Sequence, residues 1–454
     1  MEHLKREHLP RHTERVLQFG EGNFLRGFVD WMFDRLNKEY HGDYGVVVVQ
    51  PRQGHGVDRL NKQDGLYTLY LRGLLNGVKA EETRVVDCIT RGINPYQNEA
   101  EFFKCAKNPD LRFIVSNTTE AGIEYKPSME AVSETTFPGR LAMFLKARYD
   151  AQLPGFIILP CELIDRNGDC LKRYVTQYAV DWGYGSSFLQ WLQEENCFAN
   201  TLVDRIVTGY PHDQAEEIQK QLGYQDNSID MAEFFHLWVI EGAQEYEKEL
   251  PFKKIGLNVL WTDDVTPYKK RKVRILNGAH TMMALVAKLA GKETVRQAVE
   301  ERAVEEFIKK GIFNEMIPTI DMPKEELVKF ADDVIGRFKN PFLEHHLSDI
   351  ALNSVSKFRV RVLPSLLEYR QNYGKEPQCL VFSLAALILF YKTEKPNDDE
   401  RTMEFIKTAQ VPDILSNRAL WGEDLAFLQE SVERYLHTAQ KEGIYKAMNT
   451  ALCE

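Results

Sequence analysis

The 454-residue sequence has no pair of cysteines in C-x2-C spacing, no long unbroken apolar run and no excess of positive charge. Each absence removes a class of function. The seven cysteines, Cys88, Cys105, Cys161, Cys170, Cys197, Cys379 and Cys453, are scattered and odd in number, which fits reduced thiols and not a disulfide framework or a structural zinc site. Histidines are equally dispersed, and the adjacent pair His345-His346 would point about 100° apart on a helix, poor geometry for sharing an ion. No metal is expected. The longest apolar stretch, Cys379 to Tyr391, is interrupted by Ser383 and is far shorter than the ~20 residues that cross a bilayer, so a buried helix is expected there and no membrane. A net charge of −10 argues against a nucleic-acid partner, because phosphate contacts need a basic surface. The polar residues Met1 to His8 contain no apolar secretory segment, and a cytoplasmic protein is expected.

What remains is a chain long enough for two large cores. The first part alternates strand-like and helix-like stretches. Arg15 to Phe19 reads as a short strand, a Gly-rich turn follows, Phe28 to Leu36 reads as helix, and the wholly apolar Tyr44 to Gln50 suits a parallel strand buried on both faces. Further strands are expected at Leu66–Leu75, Thr83–Thr90, Leu111–Ser116, Gly155–Pro160 and Thr201–Val207, with a helix at Asn98–Ala106. After Asp263-Asp264-Val265-Thr266-Pro267 the pattern becomes helical, with a helix to Ala290 and candidates at Thr294–Gly311, Lys324–Phe338, Val362–Tyr373, Cys379–Tyr391, Asp399–Ala409 and Glu423–Ala439. The fold class predicted is an α/β Rossmann-type domain over residues 1–258 followed by a mainly α-helical domain over residues 259–454.

The turn Phe19-Gly20-Glu21-Gly22-Asn23-Phe24-Leu25-Arg26-Gly27 lies between the first strand and the first helix. Glycines there let the backbone turn tightly and bring N–H groups to a pyrophosphate at a helix N-terminus, so these residues are candidates for a dinucleotide site. The spacing is G-x-G-x-x-x-x-G and departs from the usual G-x-G-x-x-G. The acidic residue that commonly holds the adenosine ribose is also missing, since the second strand ends Gln50-Pro51-Arg52. An Arg there can favour a 2′-phosphate, which leaves NAD and NADP both open from local chemistry.

In the helical part, Lys272, Asn277 and His280 form a K-x4-N-x2-H pattern. In an α-helix Asn277 would lie about 140° round from Lys272 and His280 about 80°, so all three share one side. An amine in a partly desolvated pocket can act as a general acid or base near neutrality, and an amide and an imidazole can hydrogen-bond an alkoxide. The basic run Lys269-Lys270-Arg271-Lys272 would also draw a small anionic substrate toward them.

Taken together, Phe19 to Gly27, Ser116-Asn-Thr-Thr-Glu-Ala-Gly122, Leu202-Val-Asp-Arg-Ile206, the K-x4-N-x2-H helix and Arg337-Phe-Lys-Asn-Pro341 resemble the polyol-specific long-chain dehydrogenase/reductase family, which includes mannitol dehydrogenase. The resemblance spans nearly the whole chain. It implies hydride transfer with NAD(H) in a metal-free active site between a Rossmann-type and a helical domain. By position, Lys272 would be the general acid/base, with Asn277 and His280 binding the reacting oxygen. The cofactor would be held by Phe19, Gly20, Glu21, Gly22, Asn23, Phe24, Leu25, Arg26, Thr119 and Glu120, and Asp204 and Lys357 would lie with the substrate.

Other marks set the chain apart from the mannitol branch: Leu159-Pro-Cys-Glu-Leu-Ile-Asp165, and Ile350-Ala-Leu-Asn353 followed by Lys357-Phe-Arg-Val-Arg361. The mannitol branch carries Asp-Asn after the Cys where this chain has Glu162-Leu163, and an Arg of that branch aligns near Asp349. Both departures fit a sugar acid in place of a neutral polyol. The implied activity is reversible reduction of a ketouronate in galacturonate breakdown. A carboxylate needs a cationic partner, and Arg359 and Arg361 are the candidates. Another member of the family, acting on the epimeric ketouronate or on mannitol, and a non-catalytic dinucleotide sensor on the same fold stay open as alternatives.

Overall fold

A computed structural model describes the chain from Met1 to Glu454, except Asn76 and Glu120. It divides into two compact units, residues 1–72 with 79–265, and residues 266–454 with the short segment 73–78.

The first unit is built on six parallel strands: β1 (Glu14–Phe19), β2 (Gly45–Val49), β3 (Ile89–Ile93), β4 (Phe113–Ser116), β5 (Ile157–Pro160) and β6 (Cys197–Phe198), in the order β3-β2-β1-β4-β5-β6. This is the doubly wound dinucleotide-binding order, whose direction of winding reverses between β1 and β4 and leaves a crevice at the carboxyl ends of those strands. The valines of β2 show why the sheet is buried on both sides. Val46 and Val48 join one core with Val16 and Phe33, and Val47 and Val49 join the other with Leu17 and Phe19, as a period of two requires.

Two smaller three-stranded sheets complete this unit. In one, Tyr67–Leu75 lies between Val78–Val86 and Asp230–Ala232; in the other, Leu237–Glu241 lies between Val259–Thr262 and Asn200–Asp204. The stretch Thr83 to Thr90, predicted as one strand, is divided. Val78–Val86 stays in the first small sheet, and β3 begins at Ile89. At the break the Asp87 N–H donates to Asp34 Oδ1 (3.0 Å) and its carbonyl accepts from Arg6 (3.0 Å). Those groups leave the ladder, and the chain passes from one sheet to the other.

The second unit is helical. Its apolar centre is the helix Gln378–Thr393, buried continuously from Cys379 to Tyr391, as its lack of charge predicts. Beside it runs a helix composed of Thr266–Arg271, a π-helical turn Lys272–Asn277, and Gly278–Leu289. A helix not anticipated, Ser354–Arg361, starts from Asn353 in the left-handed region (φ 53°). Among the described residues no helix is long and apolar enough to cross a membrane, and no group of three or more His, Cys, Asp and Glu side chains could hold a metal.

Candidate active site

In the first unit the Gly-rich turn follows β1 at the reversal point. Gly20 has φ +128°, and a Cβ on it would sit 2.9 Å from the Asn117 carbonyl of the loop after β4; only glycine fits there. Beyond it, nothing lies within 4 Å of where a Cβ on Gly22 would be, and Gly22 caps the helix that begins at Asn23 without any side-chain cap. That is the open, N–H-lined helix start that suits a pyrophosphate.

The side chains of the turn point in different directions. Phe19 is buried against Phe137 (4.9 Å between ring centroids), so only its backbone faces the crevice end. Phe24 stacks on Phe28 (5.1 Å) and Leu25 is buried. Arg26 turns inward, only 2% exposed, donating to the Ser228 carbonyl and to Asn23 Oδ1, both at 2.5 Å. A second π-helical turn, Arg26–Asp30, starts at this residue.

At the neighbouring strand ends, Arg52 donates to Thr119 Oγ1 (2.7 Å) and to the Thr118 carbonyl (3.3 Å). Thr119 is exposed and left-handed (φ 79°); Glu120 lies outside the described residues. Glu162, fully buried after β5, accepts from the Thr118 N–H (2.9 Å), the Thr118 hydroxyl (3.0 Å) and the Ser116 hydroxyl (3.0 Å). Burial pushes its carboxyl up, and those donors pull it back. The departure Glu162-Leu163 thus has a structural use: Glu162 ties β5 to the loop after β4. Asp204 is buried at the end of Asn200–Asp204, paired in register with Leu237.

In the second unit the helix carrying the K-x4-N-x2-H pattern is not a plain α-helix. The Gly278 N–H donates to the Val273 carbonyl, five residues back, as well as to Ile275. Such i→i+5 bonding brings residues five apart to nearly the same side, so Lys272 and Asn277, about 140° apart in an α-helix, are stacked by the π turn. Lys272 and Asn277 are each half-buried.

One α-helical turn on, the His280 ring stacks on Phe338 (4.4 Å, 29°) and meets His345 edge-on (5.0 Å, 80°). Its Nε2 is buried with no hydrogen-bond partner among the described residues. Burial, and then the nearby His345, Arg337, Arg361 and Lys357, hold its pKa well below the ordinary histidine value. The imidazole is therefore neutral at pH 7, with a ring nitrogen available to an oxygen.

Lys357 and Arg361 are four residues apart and share one face of Ser354–Arg361. The Arg361 carbonyl comes within 3.1 Å of the position a Cβ on Gly278 would take, which sets this helix end against the π turn. Lys357 Nζ donates to the Ile350 carbonyl (2.9 Å); burial and the adjacent Arg361 lower its pKa. Arg361 is lowered by burial, and among the described residues no carboxylate offsets it. Arg359 is not brought into this cluster: two residues from Arg361 it points away, exposed, toward the Ala419 carbonyl (3.5 Å).

Sequence reasoning gave no role to Arg337 or His345, both of which the structure places around His280. Arg337 belongs to a motif that carries the family likeness, and the adjacency of His345 and His346 gives no sign of the approach of His345 to His280. Arg361 and His280 form a cation beside a neutral hydrogen-bonding ring, an arrangement that can hold an anionic group and a reacting oxygen together.

Comparison with known proteins agrees with the sheet order and the motifs. Residues 14–254 match the mannitol dehydrogenase Rossmann domain and residues 264–441 the mannitol dehydrogenase C-terminal domain. The chain is similar to altronate oxidoreductase of Bacillus subtilis strain 168, 44% identical over 97% of this chain and 96% of that protein. It is similar to altronate oxidoreductase of Yersinia enterocolitica at 42% identity, covering 99% of each. Among solved structures, D-sorbitol dehydrogenase in substrate-free form shares the fold with a TM-score of 0.84 at 21% identity, over 96% of this chain and 95% of that one. Mannitol 2-dehydrogenase of Pseudomonas fluorescens, solved with NAD and D-mannitol, has a TM-score of 0.69 at 21% identity, over 98% and 95%. The chain belongs to the mannitol dehydrogenase family, as an oxidoreductase of CH–OH groups.

Proposed function

We propose that the protein reduces D-tagaturonate to D-altronate reversibly with NADH, in galacturonate breakdown. The observation that carries this reading is the neutral His280 with an unpartnered Nε2 beside the uncompensated Arg361. It is supported by similarity to proteins named altronate oxidoreductase.

In this reading the turn Gly20 to Asn23, with Thr119 and Glu120, holds the dinucleotide; the open helix start before Asn23 fits its pyrophosphate. When bound, the nicotinamide supplies hydride to the carbonyl carbon. Asn277 and His280 hydrogen-bond the carbonyl oxygen, and His280 does so as a neutral donor. Lys272 gives a proton to that oxygen in reduction and takes it back in oxidation. Arg361 and Lys357 receive the carboxylate and so orient the carbonyl, and Asp204 is a further candidate substrate contact. Arg359 has no part in it.

The test is oxidation of NADH by purified protein with tagaturonate, fructuronate and fructose side by side. Tagaturonate should be turned over fastest. Faster turnover of fructuronate would reassign the stereochemistry, and turnover of fructose alone would remove the role given to Arg361.

A further inference from the structure

The doubly wound fold commonly places an acidic residue at the end of its second strand, where it accepts a hydrogen bond from the adenosine ribose 2′-hydroxyl. Here β2 ends Gln50-Pro51-Arg52. We propose that Glu21, carried by the turn after β1, takes over this task, accepting the ribose hydroxyls and excluding a 2′-phosphate. The inference rests on the dinucleotide reading above.

The geometry behind it is local to the first unit. The Glu21 side chain crosses from the turn to the start of the helix that follows β2, Gly56–Lys62, and occupies the space a Cβ on Gly56 would need, its Cγ 2.7 Å and its Cδ 2.8 Å from that position. Its carboxylate therefore stands against the start of the helix that follows β2, on the side of the second strand from which the acidic group is otherwise delivered. Among the described residues, its own backbone N–H donates to the group, while Arg52, Arg59 and Arg26 act on it through charge.

Two of those cations are committed elsewhere. Arg26 is held by the Ser228 carbonyl and Asn23. Arg52, the residue that could have welcomed a 2′-phosphate, is drawn to Thr118 and Thr119 after β4. Burial raises the Glu21 carboxyl, as expected of a group short of donors. Two ribose hydroxyls would supply them, because an ionised carboxylate only accepts. A 2′-phosphate supplies none when ionised and brings like charge against it.

The experiment is calorimetric titration of the full chain with NADH, NADPH, ADP-ribose and 2′-phospho-ADP-ribose, without sugar substrate, for the unaltered protein and for Glu21→Gln, Glu21→Ser and Arg52→Ala. The unaltered protein should bind NADH and ADP-ribose at least about tenfold tighter than their 2′-phosphorylated forms. Either Glu21 variant should weaken ADP-ribose roughly tenfold and narrow the preference by about tenfold or more. Arg52→Ala should keep the preference. Equal binding of the two forms by the unaltered protein, or an unchanged preference in a folded Glu21 variant, overturns the assignment and leaves the dinucleotide reading standing. Absence of binding by all four ligands overturns the dinucleotide reading itself.

Discussion

The two π-helical turns that touch sequence motifs, Arg26–Asp30 and Lys272–Asn277, have polar surroundings of different kinds. Around the first, several long polar side chains are bonded to backbone carbonyls, although Gln18 Oε1, Arg26 Nε and Asp30 Oδ1 stay buried without a partner among the described residues. Tyr67 donates to the Arg26 carbonyl (2.7 Å), Arg205 to the Gly27 carbonyl (2.8 Å), Gln18 to the Gly20 carbonyl (3.1 Å), and Arg26 itself to Ser228. Around the second, among the described residues, His280 keeps a buried nitrogen without a partner and Arg361 keeps a charge that no carboxylate offsets. Unpartnered buried polar atoms occur at both turns, so what distinguishes the second is a neutral ring nitrogen close to a cation, the pair that an anionic substrate with a reacting oxygen needs.

Substitutions that erase the contrast should have graded effects. The largest is expected from Lys272→Ala, which should lower kcat by about a thousandfold while NADH still binds, measured by steady-state turnover and by titration. Normal turnover would remove the acid/base role. Next, Arg361→Ala should cost roughly ten- to hundredfold in kcat/KM for the ketouronate and leave any trace activity on fructose unchanged. Arg359→Ala, exposed and turned away, should stay within about twofold, as surface changes usually do. Equal losses in the two variants would erase the distinction drawn between them. His280→Asn should cost roughly tenfold or more, and the unaltered enzyme should show no His280 titration near pH 6.5, because its pKa lies well below that value.

The smallest effect concerns stability, and its sign differs between the two regions. Burial pushes Asp30 up to about 7 from 3.8, so its contribution is fully present below pH 3.8 and is lost as pH rises through about 7. His280 runs the other way: its folded pKa is depressed, so its contribution is present above the unfolded value of 6.5 and is lost as pH falls below it. Asp30→Asn should therefore gain on the unaltered protein as pH rises from 4 to 7.5, by on the order of 2–4 kcal/mol, read from denaturant midpoints. A pH-independent difference would mean that Asp30 does not titrate in this range.

Much of this was legible in the sequence where local pattern and tertiary role coincide. The valines of β2 read as a strand covered on both faces because they are one, and Cys379 to Tyr391 reads as a central helix because it carries no charge to place in water. The spacing of Lys272, Asn277 and His280 was visible too, but not the π turn. Its i→i+5 bonding lies against the end of Ser354–Arg361 and cannot be told from α-helix by apolar period. Choosing between Arg359 and Arg361 needed that same helix, which the sequence reading did not include. Thr83 to Thr90 was run together because nothing nearby shows that Asp87 leaves the ladder to bond Asp34, far away in sequence. Glu21 read as one residue of a turn, since its approach to Gly56 exists only once β1 and β2 are paired.

The central claim is that the polar groups left wanting around His280 are completed by a ketouronate. The most direct measurement is NADH oxidation against tagaturonate, fructuronate and fructose by the unaltered protein and by Arg361→Ala in parallel. The account predicts fastest turnover of tagaturonate, little of fructose, and a selective loss of uronate turnover in the variant. No turnover of either uronate by the unaltered protein would contradict it.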